Sequence, residues 1–275
     1  MITVGDELLG AAHDSPPGGR PHRVTYVVCS TPRCGSGLLC DALLGSGVAG
    51  VPAEYFNPRT RTALTARWGC AAGLGEYVAA LRHHRTDAGG ALGLKLHHHH
   101  LEAIAHEAGE PRRLGLRTLT ALLGPELRLV RIRRGDLERQ AVSLWVAQHT
   151  AVWSERADAP PRSSPSVPYR FGGIERCRAW LALEQLGWDQ ALDGHEVLEV
   201  RYEDLAADYE ATATAVIRRL TGDGGAVAGP PARRRQGDGS SAALLERYQR
   251  DLDQRGPTRS LRRRDALLLR LRRTP

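Results

Sequence analysis

Lysine is almost missing from this chain. The 38 Lys and Arg residues include one lysine, Lys95. A bias that broad leaves most single arginines uninformative. The retained lysine stands out, because a guanidinium does not replace a compact ammonium at a tight phosphate site; chance retention is the competing reading. Aromatics are sparse, at 5% with two Phe, so Leu, Val and Ala carry the packing. The five cysteines, Cys29, Cys34, Cys40, Cys70 and Cys177, are odd in number and form no CxxC pair. That argues against a disulfide framework and against a zinc site, and no metal is expected. No apolar run approaches the roughly 20 residues of a membrane span. Met1 to Arg23 lacks the basic-then-apolar pattern of a secretory leader, so a cytoplasmic location is expected.

What is present suits a soluble globular protein: 275 residues, 41% hydrophobic and 25% charged. That length buries a core without help from disulfides or metal. The formal net charge is +7, and Pro230 to Pro275 alone holds 13 Arg against five acidic residues. The basic character therefore belongs to the C-terminal end. It points to a local anionic partner rather than a nucleic-acid coat, with a solvated basic helix as the alternative. No nucleic-acid partner is expected.

Residues 1–22 are polar and run into Ser15-Pro16-Pro17-Gly18-Gly19, which reads as a flexible lead-in to a single domain over 23–275. Four apolar, β-branched runs read as strands: Val24 to Cys29, Ala91 to Leu96, Leu127 to Ile132 and Glu196 to Tyr202. Helical spacing follows at Leu38 to Leu44, Asp136 to Trp153, Ile174 to Leu192, Asp208 to Leu220, Ala242 to Asp253 and the Arg-rich stretch Ser260 to Arg273. A loop near 158–169 gathers Pro160, Pro161, Pro165 and Pro168 with Ser163, Ser164 and Ser166, and reads as a lid. Strands alternating with helices predict a three-layer α/β sandwich with a mainly parallel sheet covered on both faces.

The strongest signal follows the first strand: Cys29-Ser30-Thr31-Pro32-Arg33-Cys34-Gly35-Ser36-Gly37-Leu38. A strand–loop–helix turn presents unpaired N–H groups that, with the helix dipole, attract an anion. Arg33 adds a charged fork and Ser36 a hydroxyl. An ordinary turn of small residues is the competing reading. The loop lacks the Lys of a Walker A motif, which weakens an ATP-using kinase, and GxGxxG is absent too.

Pro32-Arg33-Cys34-Gly35-Ser36 resembles the 5′-phosphosulfate loop of sulfotransferases that use 3′-phosphoadenosine 5′-phosphosulfate (PAPS). The fuller resemblance is to the bacterial trehalose 2-sulfotransferase family. It extends through Gly47-Val48-Ala49-Gly50-Val51-Pro52-Ala53-Glu54-Tyr55-Phe56, Gly93-Leu94-Lys95-Leu96, Gln140-Ala141-Val142-Ser143, Gln148-His149-Thr150 with Trp153, Tyr202-Glu203-Asp204-Leu205 and Arg234-Arg235-Gln236-Gly237-Asp238. It spans about Tyr26 to Tyr248, in order and at matching spacing.

The resemblance implies a P-loop-like α/β fold and transfer of a sulfuryl group from PAPS to a hydroxyl of a small acceptor: a sugar, a glycolipid or a specialised metabolite. Arg33, Cys34, Gly35, Ser36 and Gly37 would bind the 5′-phosphosulfate. Ser143 and an Arg after the third strand would bind the 3′-phosphate. The family pattern has Arg directly before Asp136, where this chain has Gly135; Arg134 is assigned the contact. Val51 also departs from a position that is often acidic. Glu54 would be the general base, with Arg33 stabilising developing charge. Lys95, His97, Gln148 and Trp153 would face the acceptor.

The residues taken alone leave other readings open. Glu54 also reads as a helix-start carboxylate, and Tyr202-Glu203-Asp204 as a strand-to-helix turn. His97 to His100 do not read as a metal cluster, because consecutive residues do not share one face; His97 is an alternative base. A small-molecule kinase with an atypical phosphate loop and a non-enzymatic binder of anionic surfaces are the competing functions. The Arg-rich C-terminal helix is expected to pack on the core or at a homodimer interface.

Overall fold

The computed structural model describes residues 8–15, 23–155, 157, 167–233 and 239–256. The Arg-rich stretch near Ser260 to Arg273, the Arg234 to Asp238 segment and most of the Pro/Ser-rich loop lie outside the described residues. Contacts group the chain into two compact units. One comprises Met1–Gly135, Ser154–Ala159 and Glu184–Arg235; the other comprises Asp136–Trp153, Pro160–Leu183 and Gln236–Pro275.

The first unit is built on a sheet of β1 (Val24–Ser30), β2 (Ala91–His97), β3 (Leu127–Arg133) and β4 (Val197–Arg201). The spatial order is β2-β1-β3-β4 and every pairing is parallel. β1 is buried along its whole length, which is why it reads as an unbroken apolar run. Its alternating side chains sort into two cores. Val27 and Cys29 join Leu92, Leu94, Leu96 and Leu129 in one. Tyr26 and Val28 join Val130, Ile132 and Val200 in the other. The fold is therefore mixed α/β with an all-parallel central sheet flanked by helices, as the strand–helix alternation predicts.

The helices of this unit are α1 (Ser36–Gly45), α2 (Pro58–Trp68), α3 (Leu74–Arg85), α4 (His98–Glu107), α5 (Gly115–Leu123), and later α8 (Tyr202–Ala207) and α9 (Tyr209–Thr221). The sequence reading omits α2 to α5 and α8. α2 buries only Leu64, so it carries no apolar stripe, whereas α5 buries Leu116, Leu119 and Leu123 at helical spacing, a pattern present in the sequence. The start of α2 was nonetheless written in Asn57-Pro58, where the Asn57 side chain accepts from the Arg59 N–H at 3.1 Å and Pro occupies the first turn. Residues 8–15, within the stretch read as a lead-in, also make ordered contacts. Leu8 joins the first core, and Asp14 lies 2.7 Å from Arg67 and 3.5 Å from the buried Arg85.

In the second unit, α6 (Leu137–Thr150), α7 (Phe171–Ala191, as far as Leu183) and α10 (Gly239–Arg255) enclose Ala141, Leu144, Trp145, Ile174, Leu181 and Tyr248. α6 is capped by the Asp136 carboxylate, which accepts from the Arg139 N–H at 2.8 Å. Buried Glu175 accepts from the Tyr248 hydroxyl and from Arg178 Nε.

Candidate active site

β1 ends at Ser30, and after a five-residue loop α1 begins at Ser36. Gly35 caps α1 without a side-chain hydrogen bond, so the first-turn N–H groups keep no competing cap. The loop is bent by two residues in left-handed backbone: Arg33 at φ 66° and Gly35 at φ 94°. For arginine that conformation stores strain, a feature that concentrates at functional sites.

Other segments close on this loop. The Tyr202 ring lies so close to Gly35 that a Cβ there would stand 2.3 Å from ring carbon Cδ2. The Arg134 guanidinium sits 4.7 Å from the centre of that ring and donates through Nη1 to the Arg33 carbonyl at 3.2 Å. Arg233 stands over the start of α1, with Nη1 2.3 Å from where a Cβ on Gly37 would be. Burial, then the neighbouring Arg134 and Arg233 charges, push Arg33 down to about 10. Like charges held that close in a partly dry loop are costly without an anion among them. The glycines let Tyr202 and Arg233 approach the loop, the helix start supplies donors, and the arginines supply charge. This set fits a phosphate or sulfate group.

A second group gathers at the carboxyl ends of β1 and β2, where α/β folds place ligands. Ala53 bridges Leu94, and the Lys95 N–H donates to the Ala53 carbonyl at 2.9 Å. That pairing seats Glu54 beside β2. Lys95 Nζ is 2.7 Å from Glu54 Oε1, and His97 Nε2 is 3.4 Å from the same oxygen. Burial raises the Glu54 carboxyl, but Lys95 and His97 outweigh it and hold it well below the usual carboxylate range. The Ser30 hydroxyl donates to the Leu96 carbonyl and lies 3.0 Å from His97 Nδ1. The Ser30 carbonyl lies 3.2 Å from the same nitrogen, and these contacts orient the ring with Nε2 toward Glu54. Both groups of residues flank α1. Burial pushes Cys40 up to about 12 while Lys95 and Arg233 oppose it, so its thiol stays protonated and is no nucleophile.

The other histidines have separate partners. His100 and His97 form a capping box at the start of α4, and burial pushes His100 down to about 3. His99 Nδ1 lies 3.1 Å from Glu184, and His98 meets the Trp188 ring edge-on. Among the described residues no group of three or more His, Cys, Asp or Glu is placed to hold a metal.

Arg133 lies 3.5 Å from Asp189, which Arg131 approaches at 2.7 Å. Arg134, one residue on, faces Tyr202 and the loop instead. The Gly135 N–H donates to Glu203 at 3.0 Å. Ser143, Gln148 and Trp153 belong to the second unit. There Gln148 accepts from Cys177 Sγ at 3.5 Å, and Trp153 is exposed at 48%. Their assignment stands on the resemblance alone. The sequence reading did not single out Tyr202, Arg233 or Asp41 as site residues. Tyr202 enters the sequence reading only as part of the Tyr202-Glu203-Asp204-Leu205 segment, and Arg233 only as the residue before Arg234-Arg235-Gln236-Gly237-Asp238.

A family model described as Stf0 sulphotransferase matches residues 25–251. The trehalose 2-sulfotransferase of Mycolicibacterium smegmatis is 28% identical over 264 residues, covering 86% of this chain and 98% of that protein. The trehalose 2-sulfotransferase of Mycobacterium tuberculosis is 29% identical over 262 residues, covering 84% and 96% respectively.

Proposed function

The chain belongs to the Stf0 sulphotransferase family, and on that premise we propose that it moves a sulfuryl group from PAPS to a hydroxyl of a small-molecule acceptor. The observation that carries the reading is the trio Arg33, Arg134 and Arg233 around an uncapped helix start, with Glu54 on the neighbouring strand edge. PAPS supplies, when bound, a sulfuryl group on a good phosphate leaving group.

The protein's part is to bind, to orient and to take a proton. Arg33 and the N–H groups of Gly35, Ser36 and Gly37 would hold the 5′-phosphosulfate and offset charge that grows on its oxygens. Arg134, stacked on Tyr202, would bind the 3′-phosphate. An alcohol is a poor nucleophile until a base takes its proton. Glu54 is ionised and fixed by Lys95 and His97, so it would receive that proton. Lys95 and His97 would also border the acceptor. The names of both relatives specify trehalose, which makes a sugar hydroxyl the first acceptor to try.

Calorimetric titration tests the donor site. Adenosine 3′,5′-bisphosphate is expected to bind, and ATP with Mg²⁺ is not. Binding of ATP alone would replace this reading with a kinase, and binding of neither would remove the donor site.

A further inference from the structure

Asp41 is a carboxylate beside a site built for anions. It lies one helical turn beyond Gly37 on α1, and its side chain is 2% exposed. Side chains on a helix lean toward its N-terminus, here toward the loop. Oδ1 accepts from Arg233 Nε at 3.0 Å. Oδ2 is buried with no hydrogen-bond partner among the described residues. Burial raises the Asp41 carboxyl, and Arg233 offsets only part of that rise. Such a group costs stability by its burial and repels any anion on the loop.

We infer that Asp41 is a positioning residue, which anchors Arg233 over Gly37 so that this guanidinium faces the anion held by the loop and Arg33. The inference rests on the reading of the loop as the donor site. Three features fit together. Arg233 arrives from a segment 192 residues away. A side chain at Gly37 would displace its Nη1. With Nε on Asp41, the fork leaves Nη1 at the helix start, where a phosphate or sulfate oxygen is recognised. Asp41 also neutralises one arginine of the trio, which lets them approach before the ligand arrives.

The test compares the whole protein with Asp41→Asn, Arg233→Ala and the double variant. Two quantities are read: the Kd for adenosine 3′,5′-bisphosphate at several salt concentrations, and Tm. Asparagine keeps the size and the Oδ1 acceptor but loses the charge. Asp41→Asn and Arg233→Ala are each expected to weaken binding about tenfold, because a charge-assisted hydrogen bond is at stake. The double variant should bind no more weakly than Arg233→Ala, and the salt dependence should flatten in all three. Asp41→Asn should keep or raise Tm, since it removes a buried charge. Unchanged Kd in Asp41→Asn, with or without a lower Tm, overturns the role of Asp41 and leaves the donor site standing. Failure of the unaltered protein to bind the bisphosphate overturns the donor reading and this inference with it.

Discussion

Lys95 Nζ and Glu54 Oε1 lie 2.7 Å apart, so the one lysine of the chain is the counter-ion of the carboxylate assigned as base. The contact depends on the pairing of Ala53 with β2, which brings two residues of distant sequence into one ion pair. An ammonium is a compact point charge, and it is here that the arginine-rich composition makes an exception.

Glu54→Gln should lower turnover by about 10²-fold or more, the usual worth of a positioned base. The Kd for adenosine 3′,5′-bisphosphate should change by less than about twofold, since the resemblance assigns Glu54 to the acceptor side. Steady-state kinetics and calorimetry on one preparation check both. Full activity in the variant would remove Glu54 as the base.

Lys95→Met should move the acid limb of the pH–rate profile to higher pH. The folded Glu54 carboxyl is held low mainly by Lys95, and without that charge burial raises it. The base is then protonated over a wider range. An acid limb that stays in place would show that another group sets it.

Glu54 also ties stability to pH. Its folded value lies below the ordinary 4.5, so its ion pairs contribute fully above that pH and are lost as pH falls through the folded value. Chemical denaturation at pH 7 and at about pH 3 should show the gap between the unaltered protein and Glu54→Gln shrinking toward acid. A gap that widens would mean the sign of the shift is wrong.

Arg33→Ala should weaken bisphosphate binding by about 10- to 100-fold, the range for a hydrogen bond to a charged group. It should not lower Tm, because it removes a like-charge contact from a buried loop while alanine keeps the same backbone strain. Unchanged affinity would reassign the loop.

Gly35→Ala and Gly37→Ala should separate stability from binding. At Gly35 the left-handed backbone and the Tyr202 ring both oppose a methyl group, at a cost of about 1–3 kcal/mol. At Gly37 the methyl meets only the end of the Arg233 side chain. Alanine there gains helix propensity, so Tm should hold while bisphosphate affinity falls. Thermal melts with titrations distinguish the two.

The sequence by itself determined the sheet. Runs such as Val24 to Cys29 and Leu127 to Ile132 are apolar because parallel strands are buried on both faces, and their observed bounds differ by about a residue. It also determined the loop, since strand, turn and helix start are adjacent in the chain. Helices without an apolar stripe, such as α2, were not legible, although the Asn57-Pro58 cap was. What surrounds the loop was decided only by the tertiary structure. Arg134 rather than Arg133 turns to Tyr202, Tyr202 closes on Gly35, and Arg233 reaches Asp41 across 192 residues. Local patterns record which residues a strand or turn requires. Long-range pairings leave no periodic trace, and in a chain this rich in arginine a functional guanidinium looks like every other until the fold gives it a neighbour.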